Sequence, residues 1–94
     1  MQYTFRRKPE VLWRFKFSNS QLYKLIGLGK FPPQIRLVSG GSAWLDHELD
    51  MIAEAMIAGF DDNEMRALVV QLIANRATLA SKLKERLAQD VAAA

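Results

Sequence analysis

The sequence predicts a mainly α-helical fold with a small β-hairpin: a winged helix-turn-helix followed by a long C-terminal helix. Three observations carry that expectation. Residues 18–45, SNSQLYKLIGLGKFPPQIRLVSGGSAWL, run in the order turn, short helix, small hairpin. The basic residues crowd into the same half of the chain. After Gly59 no glycine or proline appears, which leaves one long segment that permits an unbroken helix.

The elements follow in order. Residues 1–8 form a short lead-in, with a strand expected at Tyr3 to Phe5 that adds to the later hairpin. Pro9 suits the first turn of a helix, where its missing N–H costs nothing. Val11, Leu12 and Phe15 give that first helix, Pro9 to about Phe15, its apolar stripe, and Trp13 lies off it. Ser18 is the expected N-cap of helix 2, with Gln21 three residues on at capping-box spacing. Leu22, Leu25 and Ile26 face inward, and Gly29 stops the helix. Phe31-Pro32-Pro33 forces extended backbone. Ile35 to Val38 and Ala43 to Leu45 then read as two short strands around Ser39-Gly40-Gly41-Ser42.

Asp46 is the expected cap of helix 3, with Leu49, Ile52, Ala53, Met56 and Ile57 inward and His47, Glu48, Asp50 and Glu54 on the wet face. Gly59 ends it. Asp61 opens helix 4, with Glu64 completing a second capping box. Met65, Leu68, Val69, Leu72, Ile73, Leu79, Leu83 and Leu87 form its stripe, interrupted by Arg76. Continuous to about Ala88, this helix is about 40 Å long, more than the roughly 26 Å diameter of a 100-residue globule. It is therefore expected either to fold back after a break near Asn75 or to pack on a second chain. Ala92 to Ala94 are expected to fray.

Composition narrows the function classes. Half of the 94 residues are apolar and 24% are charged, as in ordinary globular domains. There is no cysteine and one histidine, His47, so disulfides, thiolate metal sites and a catalytic triad lack their parts. No metal, cofactor, enzymatic activity or small-molecule substrate is expected. No apolar run suits a bilayer and no signal-peptide pattern opens the chain, so a cytoplasmic protein without a membrane partner is expected. Residues 1–45 carry eight basic side chains against one acid, a net of +7, while residues 46–94 carry a net of −4. A basic half that coincides with the helix-turn-helix suits a phosphate surface, because neutralised phosphates release counterions.

The run Arg6-Arg7-Lys8, Glu10-Val11-Leu12, Ser18 to Ile26, Gly29-Lys30-Phe31-Pro32, and Trp44-Leu45 with Glu48-Leu49-Asp50 resembles the AlpA family of small prophage regulators. That family is related in fold to atypical excisionases and, more distantly, to MerR-type domains. The resemblance covers about Phe5 to Gly59 and implies a DNA-binding transcriptional regulator of a prophage or integrated element, or an excisionase. Two positions depart from the family pattern. Lys16 stands where a glycine is common in the helix-turn-helix corner, and Gly40 and Gly41 stand where the wing commonly carries an arginine.

In a helix-turn-helix the start of the second helix meets base edges. Asn19, Ser20 and Gln21 are therefore the candidates for base reading, with the last two serving equally as cap and first-turn residues. Lys24, one turn on, reaches a phosphate or a guanine. Tyr23 either donates its hydroxyl to a phosphate or fills the gap between helix and wing. Lys30 and Arg36 suit phosphate contacts beside the wing. Arg6, Arg7 and Lys8 either clamp the backbone or form a loose basic arm. Gly40 and Gly41 either approach the sugar-phosphate chain or simply satisfy a tight hairpin. Two parts are expected: a reading head over residues 1–59 that binds double-stranded DNA, and a helical extension over residues 60–94. The extension is expected to form a homodimer through Leu72, Leu79, Leu83 and Leu87. The alternative is a protein-interaction module acting through helix 4.

Overall fold

The computed structural model describes residues 2–93, as β1 (Phe5–Arg7), α1 (Lys8–Phe15), α2 (Asn19–Gly27), β2 (Ile35–Arg36), β3 (Ser42–Leu45), α3 (Asp46–Ile57) and α4 (Asp62–Ala93). The expected helix-turn-helix, wing and long terminal helix are all present, and the lead-in strand lies at Phe5–Arg7 rather than Tyr3–Phe5.

The sheet has the order β1-β3-β2, with both pairings antiparallel. Its centre is β3, whose Ala43, Trp44 and Leu45 are all buried. Across it Phe5, Arg6 and Arg7 oppose Leu45, Trp44 and Ala43. On the other side β2 stops after Arg36, so Leu37 and Val38 belong to the wing turn and not to the strand that the sequence predicts. The turn itself is the reason. Leu37 N–H donates to the Gly41 carbonyl at 3.0 Å and its own carbonyl accepts from Gly40 N–H at 3.0 Å. Closing it needs two successive positive φ angles, at Gly40 (102°) and Gly41 (75°), which glycine adopts without Cβ strain.

Helix ends are set locally. At α2, Ser18 and Gln21 form the predicted capping box, and at α4 Asp61 and Glu64 form the second. Both α2 and α3 end in Schellman motifs: Lys30 N–H reaches Leu25 C=O and Phe60 N–H reaches Ala55 C=O, around Gly29 and Gly59 at positive φ. α1 ends in the same bond, Phe17 N–H to Leu12 C=O at 3.1 Å, but around a residue that is not glycine. Lys16 occupies the left-handed conformation at φ 60°, which explains why a glycine suits that corner. Its ammonium sits 4.2 Å from the Trp13 ring centroid, a cation–π contact that offsets part of the backbone strain.

The core joins Val11, Leu22, Phe31, Trp44, Leu49 and Ile52 with Met65, Val69 and Leu72 of α4. Trp44 Nε1 donates to Pro32 C=O at 2.9 Å, so the buried indole fastens the chain entering the wing. Phe15, Phe17 and Phe31 pack with ring centroids 5.4–5.7 Å apart.

Several expectations for α3 and α4 are corrected. Asp46 is the first residue of α3 and not its cap; the N-cap is Leu45, which has no polar side-chain atom to offer, and the Asp46 carboxylate is engaged by Arg6 and Arg14. The buried face of α3 is Glu48, Leu49, Ile52 and Ala55. Met56 and Ile57 are exposed, since burying Glu48 rotates the face away from them. Glu48, expected in water, is 2% exposed. Its carboxylate accepts from both Nε and Nη2 of Arg76, and Nη2 also donates to Pro33 C=O at 3.0 Å. Arg76 thus interrupts the α4 stripe because a carboxylate and a carbonyl await it there.

No break occurs near Asn75: α4 is one helix of 32 residues. At 1.5 Å per residue it is about 48 Å long, against a longest molecular dimension of 49 Å. Met65, Val69 and Leu72 are buried, whereas Leu79, Leu83 and Leu87 are 43–55% exposed. Leu72, at 1% exposure, belongs to its own chain's core and is withdrawn from the expected dimer contact. Of the fraying expected at Ala92 to Ala94, Ala94 lies outside the described residues and α4 is continuous to Ala93.

Two stability measurements check these points. Glu48→Ala leaves the Arg76 guanidinium without its carboxylate and is expected to cost about 3–5 kcal/mol in denaturant unfolding. Lys16→Ala and Lys16→Gly both remove the contact to Trp13, but only glycine relieves the left-handed backbone. The glycine variant is expected to be more stable than the alanine variant by about 1 kcal/mol in thermal melts.

Candidate nucleic-acid interface

The capping box aims α2. Ser18 Oγ accepts from Gln21 N–H at 3.1 Å, and Gln21 Oε1 accepts from Ser18 N–H at 2.8 Å. The Gln21 carboxamide oxygen is thereby occupied in the cap, one of the two roles foreseen for it. Leu22 anchors the helix in the core, with Leu25 and Ile26 partly buried beside it. Asn19, Ser20, Tyr23 and Lys24 stay on the exposed side. Asn19 and Ser20 stand in the first turn, where orphan N–H groups and the helix dipole favour a negative partner.

The eight basic side chains of the first half divide into two sets. Arg6 donates to Asp46 at 2.8 Å and lies 3.6 Å from Glu10; Arg14 donates to Asp50 at 2.7 Å and also faces Asp46. The hydrogen bond to Asp46, with the charge behind it, raises the Arg6 pKa above the usual arginine value. Arg6 is therefore fully charged but neutralised in place. Lys30 is held by Asp62 at 3.1 Å, so this predicted phosphate contact is already paired with an acid of α4. Among the described residues no carboxylate lies within 4 Å of the charged groups of Arg7, Lys8, Lys16, Lys24 or Arg36.

Two of those unpaired cations, Arg7 and Lys8, touch the predicted reading elements. Arg7 Nη1 donates to the Gly40 carbonyl in the wing turn at 3.0 Å. The next residue, Lys8, places its ammonium 5.4 Å from the centroid of the Tyr23 ring on α2. Two successive residues therefore join the wing to α2, and the basic arm is a strand and not a loose tail. Tyr23 lies half-exposed beneath Lys8. Arg36 opens onto a shallow cavity of about 420 Å³ with Gln34, Gly41 and Ser42, on the other flank of the turn. Arg7, Lys8 and Tyr23 form one cationic ridge from the wing turn to α2, and Arg36, paired with Ser42, lies across the turn from it.

The sequence points to Arg7, Lys8, Tyr23, Gly40 and Gly41 separately and does not reveal that Arg7 meets the two glycines or that Lys8 meets Tyr23. The Arg7–Gly40 contact spans 33 residues and follows from strand register, which no local spacing reveals. Sequence reasoning also missed the neutralisation of Arg6, Arg14 and Lys30, whose acidic partners, Glu10 apart, lie beyond residue 45.

A family model described as Prophage CP4-57 regulatory protein (AlpA) matches residues 5–52, just over half of the chain. The chain belongs to the AlpA family. The AlpA match begins at β1 and ends within α3, so it contains α2, the wing and the whole ridge, while α4 lies beyond it. Uncharacterized protein ORF88 of Enterobacteria phage P4 is 41% identical over 58 residues, an alignment that covers 62% of the chain and 66% of that relative, just under two thirds of its length. No solved structure gives a significant match. The AlpA family is one of prophage regulators, which accords with a cationic surface rather than a catalytic pocket. No helix in the described residues is long and apolar enough to cross a membrane.

Proposed function

We propose that this AlpA-family chain is a sequence-specific double-stranded DNA-binding regulator of a prophage or integrated element. It would act in the cytoplasm, with α2 in the major groove and the wing on the adjoining backbone. The observation that carries this reading is the sorting of charge. Cations on the α1–α3 side are cancelled by Asp46, Asp50 and Glu10, whereas those joining the wing to α2 are left open. Asn19 and Ser20 are the proposed base readers, since Asn pairs with adenine and Ser with either type of edge. Gln21 contributes through its amide N–H₂, its oxygen being held in the cap. Lys24, Lys8, Arg7 and Arg36 are the proposed phosphate contacts, with Tyr23 seating Lys8. The same head serves a transcription regulator or an excisionase, and an excision assay on the integrated element separates the two.

A second reading rests on α4. Its distal half projects with Leu79, Leu83 and Leu87 exposed, and an isolated helix of that length is marginal in water. A homodimer through these leucines is proposed, which would set two heads on paired half-sites. A heterologous protein partner on the same stripe is the competing form of this reading.

Two measurements test these proposals. Binding to duplex DNA from the flanks of its own gene is expected to fall steeply with salt, and Lys24→Ala to weaken it on every sequence. Salt-insensitive binding would remove the DNA reading. For the dimer, the chain is best ended after Thr78, because ending it after Asn75 would delete Arg76 and orphan Glu48. Light scattering is expected to show a dimer for the full chain and a monomer for the truncated one; a full-chain monomer overturns the dimer.

A further inference from the structure

We infer that Arg7 is the wing's contact to the DNA phosphate backbone, a guanidinium supplied to an uncharged turn by a neighbouring strand. The inference rests on the DNA-binding reading and assigns one of its parts. The turn, Val38-Ser39-Gly40-Gly41-Ser42, has no charged side chain of its own. Arg7 lies opposite Ala43 on the adjoining strand, just past the turn, and its side chain runs back to Gly40.

Two features place the guanidinium there, and a third leaves its charge unpaired. Nη1 donates to Gly40 C=O at 3.0 Å. A Cβ on Gly41 would stand 2.6 Å from that same Nη1, so the glycine leaves the space that the guanidinium fills. Arg6, one residue away, is held by Asp46 and Glu10, whereas no carboxylate lies within 4 Å of Arg7 among the described residues. Arginine carries five N–H donors in a planar fork. One is used on Gly40, and four remain for a phosphate, whose oxygens match the fork. Holding the side chain in place beforehand lowers the entropy lost on binding. The contact reads no base. It sets where the wing rests along the strand, and so where the first turn of α2 enters the groove.

The test uses the full chain, with a duplex from the flanks of its own gene and an unrelated duplex of equal length, titrated over a salt series. Arg7→Gln removes the charge and, being two atoms shorter, the Gly40 contact with it, and a thermal melt checks that the fold is retained. It is expected to weaken binding to both duplexes about tenfold and to lower the magnitude of the log–log salt slope by about 0.9. Arg6→Gln, which removes a charge already paired with Asp46, is expected to leave the slope unchanged. If Arg7→Gln matches the wild type while Lys24→Ala weakens binding, the Arg7 assignment is overturned and the DNA reading stands. A loss confined to the flanking duplex also overturns it, since that is base reading. Wild-type chain that binds neither duplex removes the DNA reading and this assignment together.

Discussion

The buried pair of Glu48 and Arg76 is the interaction on which the arrangement of this protein depends. Apolar packing alone places only Met65, Val69 and Leu72 of α4 in the core, fewer than three turns of a 32-residue helix. Arg76 adds a directional anchor one turn further on. It grips the α3 carboxylate with two donors and the Pro33 carbonyl with a third hydrogen bond. Pro33 begins the extended segment that leads into the wing, and the neighbouring Pro32 carbonyl accepts from Trp44. Helix α3, helix α4 and the base of the wing therefore meet at one guanidinium. Removing two charges from water is costly, and such a pair is retained only where every lone pair and donor is matched. Three hydrogen bonds join Arg76 to Glu48 and Pro33, and no buried side-chain N or O atom among the described residues lacks a partner.

The same chemistry is used in the opposite way on the surface. Acids from the second half of the chain neutralise Arg6, Arg14 and Lys30, so they subtract charge from three places and leave it in one. A net charge of +3 describes this molecule poorly. What a phosphate chain would meet is a local ridge, from Arg7 and Lys8 to α2, whose potential the distant acids do little to cancel at physiological salt.

Much of this was legible in the sequence wherever the signal is local. Ser18 with Gln21 and Asp61 with Glu64 define their helix starts within four residues, and Gly29 and Gly59 mark their stops as the structure has them. Features set by residues far apart were not legible. Glu48 reads as a surface acid on any helical wheel, and only its meeting with Arg76, 28 residues on, makes it a core residue. That burial turns α3, which is why Met56 and Ile57 lost the inward places their spacing suggested. The length of β2 failed for a related reason: Leu37 and Val38 have strand chemistry, but the turn consumes them. At the interface the reading elements were legible from spacing, while the side chains that bridge them depended on register.

The geometry at the wing ties two distant positions into one unit of variation. Because a Cβ at position 41 would stand 2.6 Å from Arg7 Nη1, a side chain there must push the guanidinium off its place. A lineage that acquires a larger residue at 41 must first give up, or redirect, the arginine at 7, and one that loses the arginine frees the glycine from all but its backbone demand. A step at 41 carries two costs, the displaced guanidinium and a positive φ that strains any side chain, and only the first vanishes once the arginine is lost. Substitutions at these two sites are therefore expected to be epistatic, and to appear together when related sequences are compared.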